Sequence, residues 1–228
     1  MTVSGLDTSP ELVQPRRASG PARSLSLDII AEAVVEIGFS EASITAVAKQ
    51  LGVVHGALYR YIGDRNGMMA AAVEKATSEF SWPELSGDWK AVLLDESAAW
   101  WEFCGKHPGF VGELASVGMS PSMRRRTLEV SLHLHSCGLS ALDSIMALDL
   151  VMDTIHDIFN RSKQRERVIQ QILQLPQEEA AGYLDGLPDG ITEVIINALI
   201  GDPWPWFVNK LELFIDGIEH RLSLAGTA

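Results

Sequence analysis

Tyr59, Arg60, Tyr61 and Arg65 bring two phenols and two guanidinium groups into one short stretch, LGVVHGALYRYIGDR over 51–65. Such donors hydrogen-bond phosphate oxygens and base edges. His55 adds an imidazole to the same stretch. The chain as a whole argues the other way, with a formal net charge of −12 over 228 residues. That acidity is unevenly spread. Residues 1–80 carry seven Lys/Arg against nine Asp/Glu, and from Ser43 to Gly67 there are three basic residues (Lys49, Arg60, Arg65) and one acid. Net charge governs solubility and non-specific affinity, whereas the local sign governs what one face binds.

Other groups able to do chemistry are scattered. No Ser-His-Asp, paired-carboxylate or Gly-rich phosphate-loop pattern stands out, so an enzyme is not expected. Asp149, Asp153, His156 and Asp157 share one helical face at spacing that could hold a divalent ion, but such a set is more often a solvated or interface face, and no metal or cofactor is expected. His133 and His135, two apart on a helix, diverge. Arg124, Arg125 and Arg126 read as a solvated helix start. Cys104 and Cys137 lack CxxC spacing and fit reduced thiols in the cytoplasm. No apolar run is long enough to span a bilayer, and the N-terminus has no apolar core of a secretion signal.

The elements that must position these groups read as helices throughout. Residues 1–24, rich in Ser, Pro, Gly and Ala, are expected to be a mobile tail. Its Arg16, Arg17 and Arg23 are either simply solvated or arms that reach a minor groove. Ser26 caps a first helix ending at Ile37, with Ile29, Ile30, Ala33, Val34 and Ile37 on one face. A second short helix follows Ser43 and stops at Gly52. A third runs from about His55 to Ile62, and Asp64 caps a fourth. Pro83 and Gly87 mark a boundary, so 25–80 is expected to form a head and 81–228 a larger body. Further helices are expected near 88–104, 108–117, 121–137, 140–173, 190–200 and 204–223, with a loop-like stretch over 174–190.

Helices of eight residues are marginal alone. Two joined by Leu51-Gly52-Val53-Val54 and braced by a first helix make a helix-turn-helix, whose second helix enters the major groove. Val47, Ala48, Leu51, Val53 and Leu58 would lock the pair together. The bland alternative makes Tyr59 and Tyr61 half-buried helix residues. At i and i+2 they point roughly 200° apart, so both cannot face one core.

The run from Leu27 to Val73, with ITAVAKQLGVVHGALYRYIGDRNGMMAAAV at its heart, resembles the DNA-binding domain of the tetracycline-repressor (TetR) family. Ala48, Leu51-Gly52-Val53, Leu58-Tyr59, Tyr61 and Arg65 match that family's pattern. The resemblance implies an all-α homodimer with a three-helix head and a helical ligand-binding and dimerisation body. By position it implies that Thr45, His55, Gly56, Ala57, Tyr59, Arg60, Tyr61 and Arg65 meet double-stranded DNA. Arg65 is expected to clamp a phosphate beside the free N–H groups of the fourth helix. Two positions depart: Val54 stands where a capping Ser or Thr is common, and Ile62 where Phe is usual. A lost cap costs roughly 1 kcal/mol.

The body resembles that of the tetracycline repressor more faintly. Its long middle helix and last helix are expected to pair with their copies. The stripes are Leu148, Val151, Met152, Ile155 and Phe159, and Leu211, Phe214, Ile215 and Ile218, although each could equally be intramolecular core. A pocket for an apolar or aromatic effector is implied, with Trp82, Trp100, Trp101, Phe103, Phe110, Met119, Met123, Leu134 and Met152 as its lining or simply as core. The magnesium-chelate histidines of drug-binding members are missing: Glu113 falls near the metal position. The expected function is a cytoplasmic, ligand-released repressor on a palindromic operator. The alternatives are an activator on the same fold and a helical enzyme with an incidental helix-turn-helix. A nucleoid protein would need strong positive charge.

Overall fold

The computed structural model describes residues 24–174 and 186–225, which form ten helices and no strand. The expected tail, with Arg16, Arg17 and Arg23, and most of the loop over 174–190 lie outside the described residues. The helices are α1 Leu27–Ile37, α2 Ile44–Leu51, α3 His55–Ile62, α4 Arg65–Glu79, α5 Trp89–Lys106, α6 Phe110–Val117, α7 Pro121–Ser136, α8 Ala141–Leu173, α9 Asp189–Ile200 and α10 Pro203–Ala225.

Local chemistry sets the ends of the first four helices. Ser26 accepts from the Ile29 N–H, Ser43 from Ala46 and Asp64 from Gly67, each satisfying one orphan donor of a helix start. Val54, at the start of α3, makes no side-chain cap. Between α2 and α3 the chain reverses at Gly52, whose φ of 67° and ψ of 30° lie in the left-handed region that disfavours a Cβ. Ile30, Ala33 and Val34 of α1, Val47 and Ala48 of α2, Leu58 and Ile62 of α3, and Met68, Met69, Ala72 and Val73 of α4 close one apolar core. Leu51 and Val53 pack against its edge.

α4 runs along α1 and also packs on α6 and α7, so it belongs to head and body alike. Lys75 ties it to α1, donating to Asp28 at 2.9 Å and to Glu79 at 2.7 Å. Hydrogen bonds from Lys75 to Glu79 and then to Asp28 push the Lys75 ammonium up to about 12. At the α4–α7 crossing, Thr77, Ser120 and Ser122 form a buried hydroxyl cluster. Glu74 there accepts from both the N–H and the hydroxyl of Ser122 at 2.9 Å.

In the body, the expected apolar stripes find cover within the chain, and one basic residue departs from expectation. Leu148, Val151, Ile155, Leu211, Ile215 and Ile218 are buried inside this chain, where α8 and α10 pack on each other and on the rest of the body. Phe159 stacks edge-on against Trp101 at 5.1 Å, and Phe214 is half-buried in the same core. The face these helices leave open is instead Leu142, Ile145, Met146 and Leu150 of α8, with Trp206 and Leu213 of α10. Periodicity identifies an apolar stripe but does not say whether the covering helix lies in the same chain.

Arg126, expected at a solvated helix start, is not solvated. Its side chain is 11% exposed and its guanidinium is held by Glu96, which is 1% exposed. Nε lies 3.2 and 3.1 Å from the two carboxylate oxygens, and Nη2 donates to Glu96 and to the Pro83 carbonyl. Trp100 Nε1 donates to the same carboxylate at 3.1 Å. A carboxylate this deep is tolerated because every oxygen has a donor.

No helix among the described residues is long and apolar enough to cross a membrane.

Candidate nucleic-acid interface

Helix α3 offers its outer face to solvent while Leu58 and Ile62 anchor its inner face. Tyr59 and Tyr61 are 47% and 43% exposed. Neither joins the core, in keeping with their divergent directions. Thr45, His55, Gly56 and Arg60 are exposed too, and Ala57 is half-buried. The side chains of Thr45, His55, Tyr59, Arg60 and Tyr61 make no hydrogen bond or ion pair among the described residues. Phenol, imidazole, hydroxyl and guanidinium groups therefore stand free on one short helix and the start of its neighbour. That arrangement can donate to phosphates and base edges without first breaking an internal bond.

Arg65 sits differently. Its Nη1 and Nη2 donate to the two carboxylate oxygens of Glu113 on α6, at 2.9 and 2.7 Å. The Glu113 bond, opposed by burial and aided by that carboxylate's charge, raises the guanidinium pKa further. The side chain is 45% exposed, so one edge still faces outward. Sequence reasoning placed both residues near functional positions but missed their pairing, since 48 residues separate them.

Glu74 secures the opposite side of α4. Burial acts to raise its pKa, but bonds from the Ser122 N–H and hydroxyl and from the Ser120 hydroxyl, with the charge of Arg125, outweigh it and lower the pKa.

In the body, the nine residues expected around an effector divide. Trp82, Trp100, Phe103 and Phe110 meet, but they pack on one another. Trp82 lies 4.4 Å from Trp100, and Phe103 lies 5.6 Å from Trp100 and 4.7 Å from Phe110. Met123 and Leu134 are buried in the same core, Met152 is half-buried and Met119 is exposed. Trp101 belongs to a second aromatic group with Trp204 and Phe207.

Cavities open elsewhere. One of about 420 Å³ lies beside the α5–α6 loop, one of about 530 Å³ between α1 and the α2–α3 turn, and smaller ones of about 250 and 140 Å³ along α8 and α10. None of these four is lined by the nine expected residues. Of the acidic set on α8, Asp157 pairs with Arg161, while His156 buries an Nε2 without a hydrogen-bond partner among the described residues. Burial lowers the His156 pKa, and Asp153 opposes that.

No protein-family model matches the chain, and no curated protein sequence does. Solved structures do. Apo ActR from Streptomyces coelicolor is similar at TM-score 0.70 and 20% identity, over 89% of this chain and 99% of its own. The same organism's TetR family protein ActR in complex with actinorhodin is similar at TM-score 0.67 and 20% identity, over 86% and 95%. BioQ with its double-stranded DNA operator is similar at TM-score 0.53 and 15% identity, over 66% of this chain and 96% of that one. With its helix-turn-helix head on a larger helical body, the chain has the all-α fold of the TetR family of regulators.

Proposed function

We propose that the chain is a homodimeric, ligand-responsive transcriptional repressor of the cytoplasm, binding a palindromic operator and released from it by a small molecule. One observation carries the reading: an exposed α3, set on a helix-turn-helix, presents His55, Tyr59, Arg60 and Tyr61 without side-chain partners among the described residues. Gly56 and Ala57 at its start let the backbone approach base edges closely, with apolar contact to a thymine methyl as the available readout. Thr45 and Arg60 bind phosphates. Proteins of this fold described with an operator (BioQ) and with a small molecule (ActR) support both halves of the reading.

Two heads must reach major grooves about 34–36 Å apart, which requires pairing of identical chains. The uncovered face of α8 and α10 supports that pairing. Met146 and Leu213 border one shared depression there, flanked by Leu142, Ile145 and Leu150. Excess apolar surface of this kind marks an interface. The set Leu148, Val151, Ile155, Leu211, Ile215 and Ile218 supports the face from beneath.

DNA binding to the gene's own upstream region, titrated against salt, tests the reading. Saturable binding of a dimer, with affinity falling steeply and linearly on log–log axes, is expected. Indifference to every upstream fragment at low salt, or a monomer at micromolar concentration, would refute it.

A further inference from the structure

The head and body meet backbone to backbone at one seam. The Ser40 N–H of the α1–α2 loop donates to the Pro108 carbonyl of the α5–α6 loop at 3.1 Å. A Cβ on Gly109 would stand 2.5 Å from the Ser40 nitrogen. With its φ of 89°, glycine alone suits this position. Phe39 closes the seam from within, its ring edge-on to Phe110 at 5.4 Å and to His107 at 6.1 Å.

Beside this seam opens the cleft of about 420 Å³. Pro108, Val111 and Phe159 give it an apolar wall. The Ser40 hydroxyl, the His107 imidazole and the Asn160 amide give it polar groups from three separate elements. None of these three side chains has a hydrogen-bond partner among the described residues. Among the described residues, no Asp, Glu, Lys or Arg side chain lines the cleft. Burial, helped by the charge of Lys106, lowers the His107 pKa, so the ring is neutral near pH 7 and can donate or accept. An apolar wall with a few convergent polar groups is the general form of a small-molecule site, and the volume falls in the usual range.

We propose that this cleft binds an uncharged, flat, hydroxylated aromatic molecule. Its ring lies against Phe159 and Val111, and its oxygens are shared among Ser40, His107 and Asn160. Ser40 belongs to the head and the other walls to the body, so a bound ring sets the spacing between them. The first turn of α6 lines the cleft with Val111 and Gly112 and also carries Glu113, the partner of Arg65. Binding itself needs no DNA; its consequence at an operator rests on the function proposed above.

The test titrates 2-naphthol into the full chain and follows backbone amides by NMR. Saturable shifts at Ser40, Gly109, Gly112 and Asn160 are expected. They should vanish in Gly112→Phe, whose side chain enters open space beside the cleft, and weaken roughly two- to tenfold in Asn160→Leu, in keeping with the loss of one hydrogen bond. Should Gly112→Phe fail to fold, Asn160→Leu and Ser40→Ala carry the test. No saturable shift, shifts confined to the surroundings of Trp100 and Met123, or undiminished binding in the folded variants overturns the proposal. In a separate arm, saturating 2-naphthol should weaken operator binding roughly 5- to 150-fold. Unchanged operator affinity despite intact shifts refutes the regulatory half. Absence of operator binding without 2-naphthol counts against the DNA reading and leaves the NMR result standing.

Discussion

Arg65 opens α4 with both terminal nitrogens on Glu113 of α6, at 2.9 and 2.7 Å. If Arg65 meets a phosphate as proposed, a carboxylate of its own chain already engages it, and the two partners compete. Partly exposed pairs are worth about 0–1 kcal/mol, enough to bias the competition without deciding it. Glu113→Gln should therefore tighten operator binding by up to about fivefold, while Arg65→Ala weakens it. Fluorescence anisotropy with labelled operator checks both. Looser binding by Glu113→Gln would mean that the carboxylate positions Arg65 for DNA instead of withholding it.

Arg60 has no side-chain partner among the described residues, so under the proposed reading its loss is felt at the DNA and not in the fold. Arg60→Ala should weaken binding across operator and non-operator sequences alike and lower the log–log salt slope by about 0.9 for the phosphate lost. Tyr59→Phe removes only a hydroxyl and should cost about 0.5–1.5 kcal/mol. An unchanged slope in Arg60→Ala places that guanidinium away from the backbone.

The buried pair Glu96–Arg126 predicts a strong asymmetry. Arg126→Met strands a carboxylate that is 1% exposed, and should cost about 3–5 kcal/mol in urea unfolding. Adding Glu96→Leu should restore much of that stability. A single variant as stable as the parent would show that Glu96 reaches water.

Glu74 links stability to acid pH. Its folded pKa lies below the ordinary 4.5, so the folded state holds the proton more weakly than the unfolded one. The contribution is present above about pH 4.5 and is lost as pH falls through the folded value. Glu74→Gln should be less stable than the parent at pH 7 and show a shallower loss below pH 4.5 in thermal melts. Parallel melting curves across that range would contradict the role given to Ser122.

If the open face of α8 and α10 pairs two chains as proposed, assembly can be separated from folding. Ile145→Glu and Leu213→Glu, at positions 61% and 75% exposed, should leave the secondary structure intact, produce monomers in analytical ultracentrifugation, and abolish operator binding. Leu211→Ala, buried two residues away on the same helix, should instead cost about 2–5 kcal/mol of stability. Dimers in both glutamate variants would move the interface elsewhere.

Local chemistry made the head and the helix pattern legible in the sequence. Serine and aspartate caps, Gly52 and the 3.6-residue repeat act within a few residues, so the starts of α1 to α4, the ends of α1 to α3, and the fact that Tyr59 and Tyr61 do not share one core followed from the sequence alone. Contacts across long separations did not. Only the packed chain could show that Arg65 meets Glu113, that Arg126 turns inward to Glu96, and that Leu148 and Leu211 are already buried within the chain itself. The same holds for Trp100 and Phe103, which close on neighbouring rings, and for the cleft that opens at Ser40 and His107. An apolar or charged side chain carries its burial preference in its own chemistry, but what it is buried against depends on how distant segments are brought together.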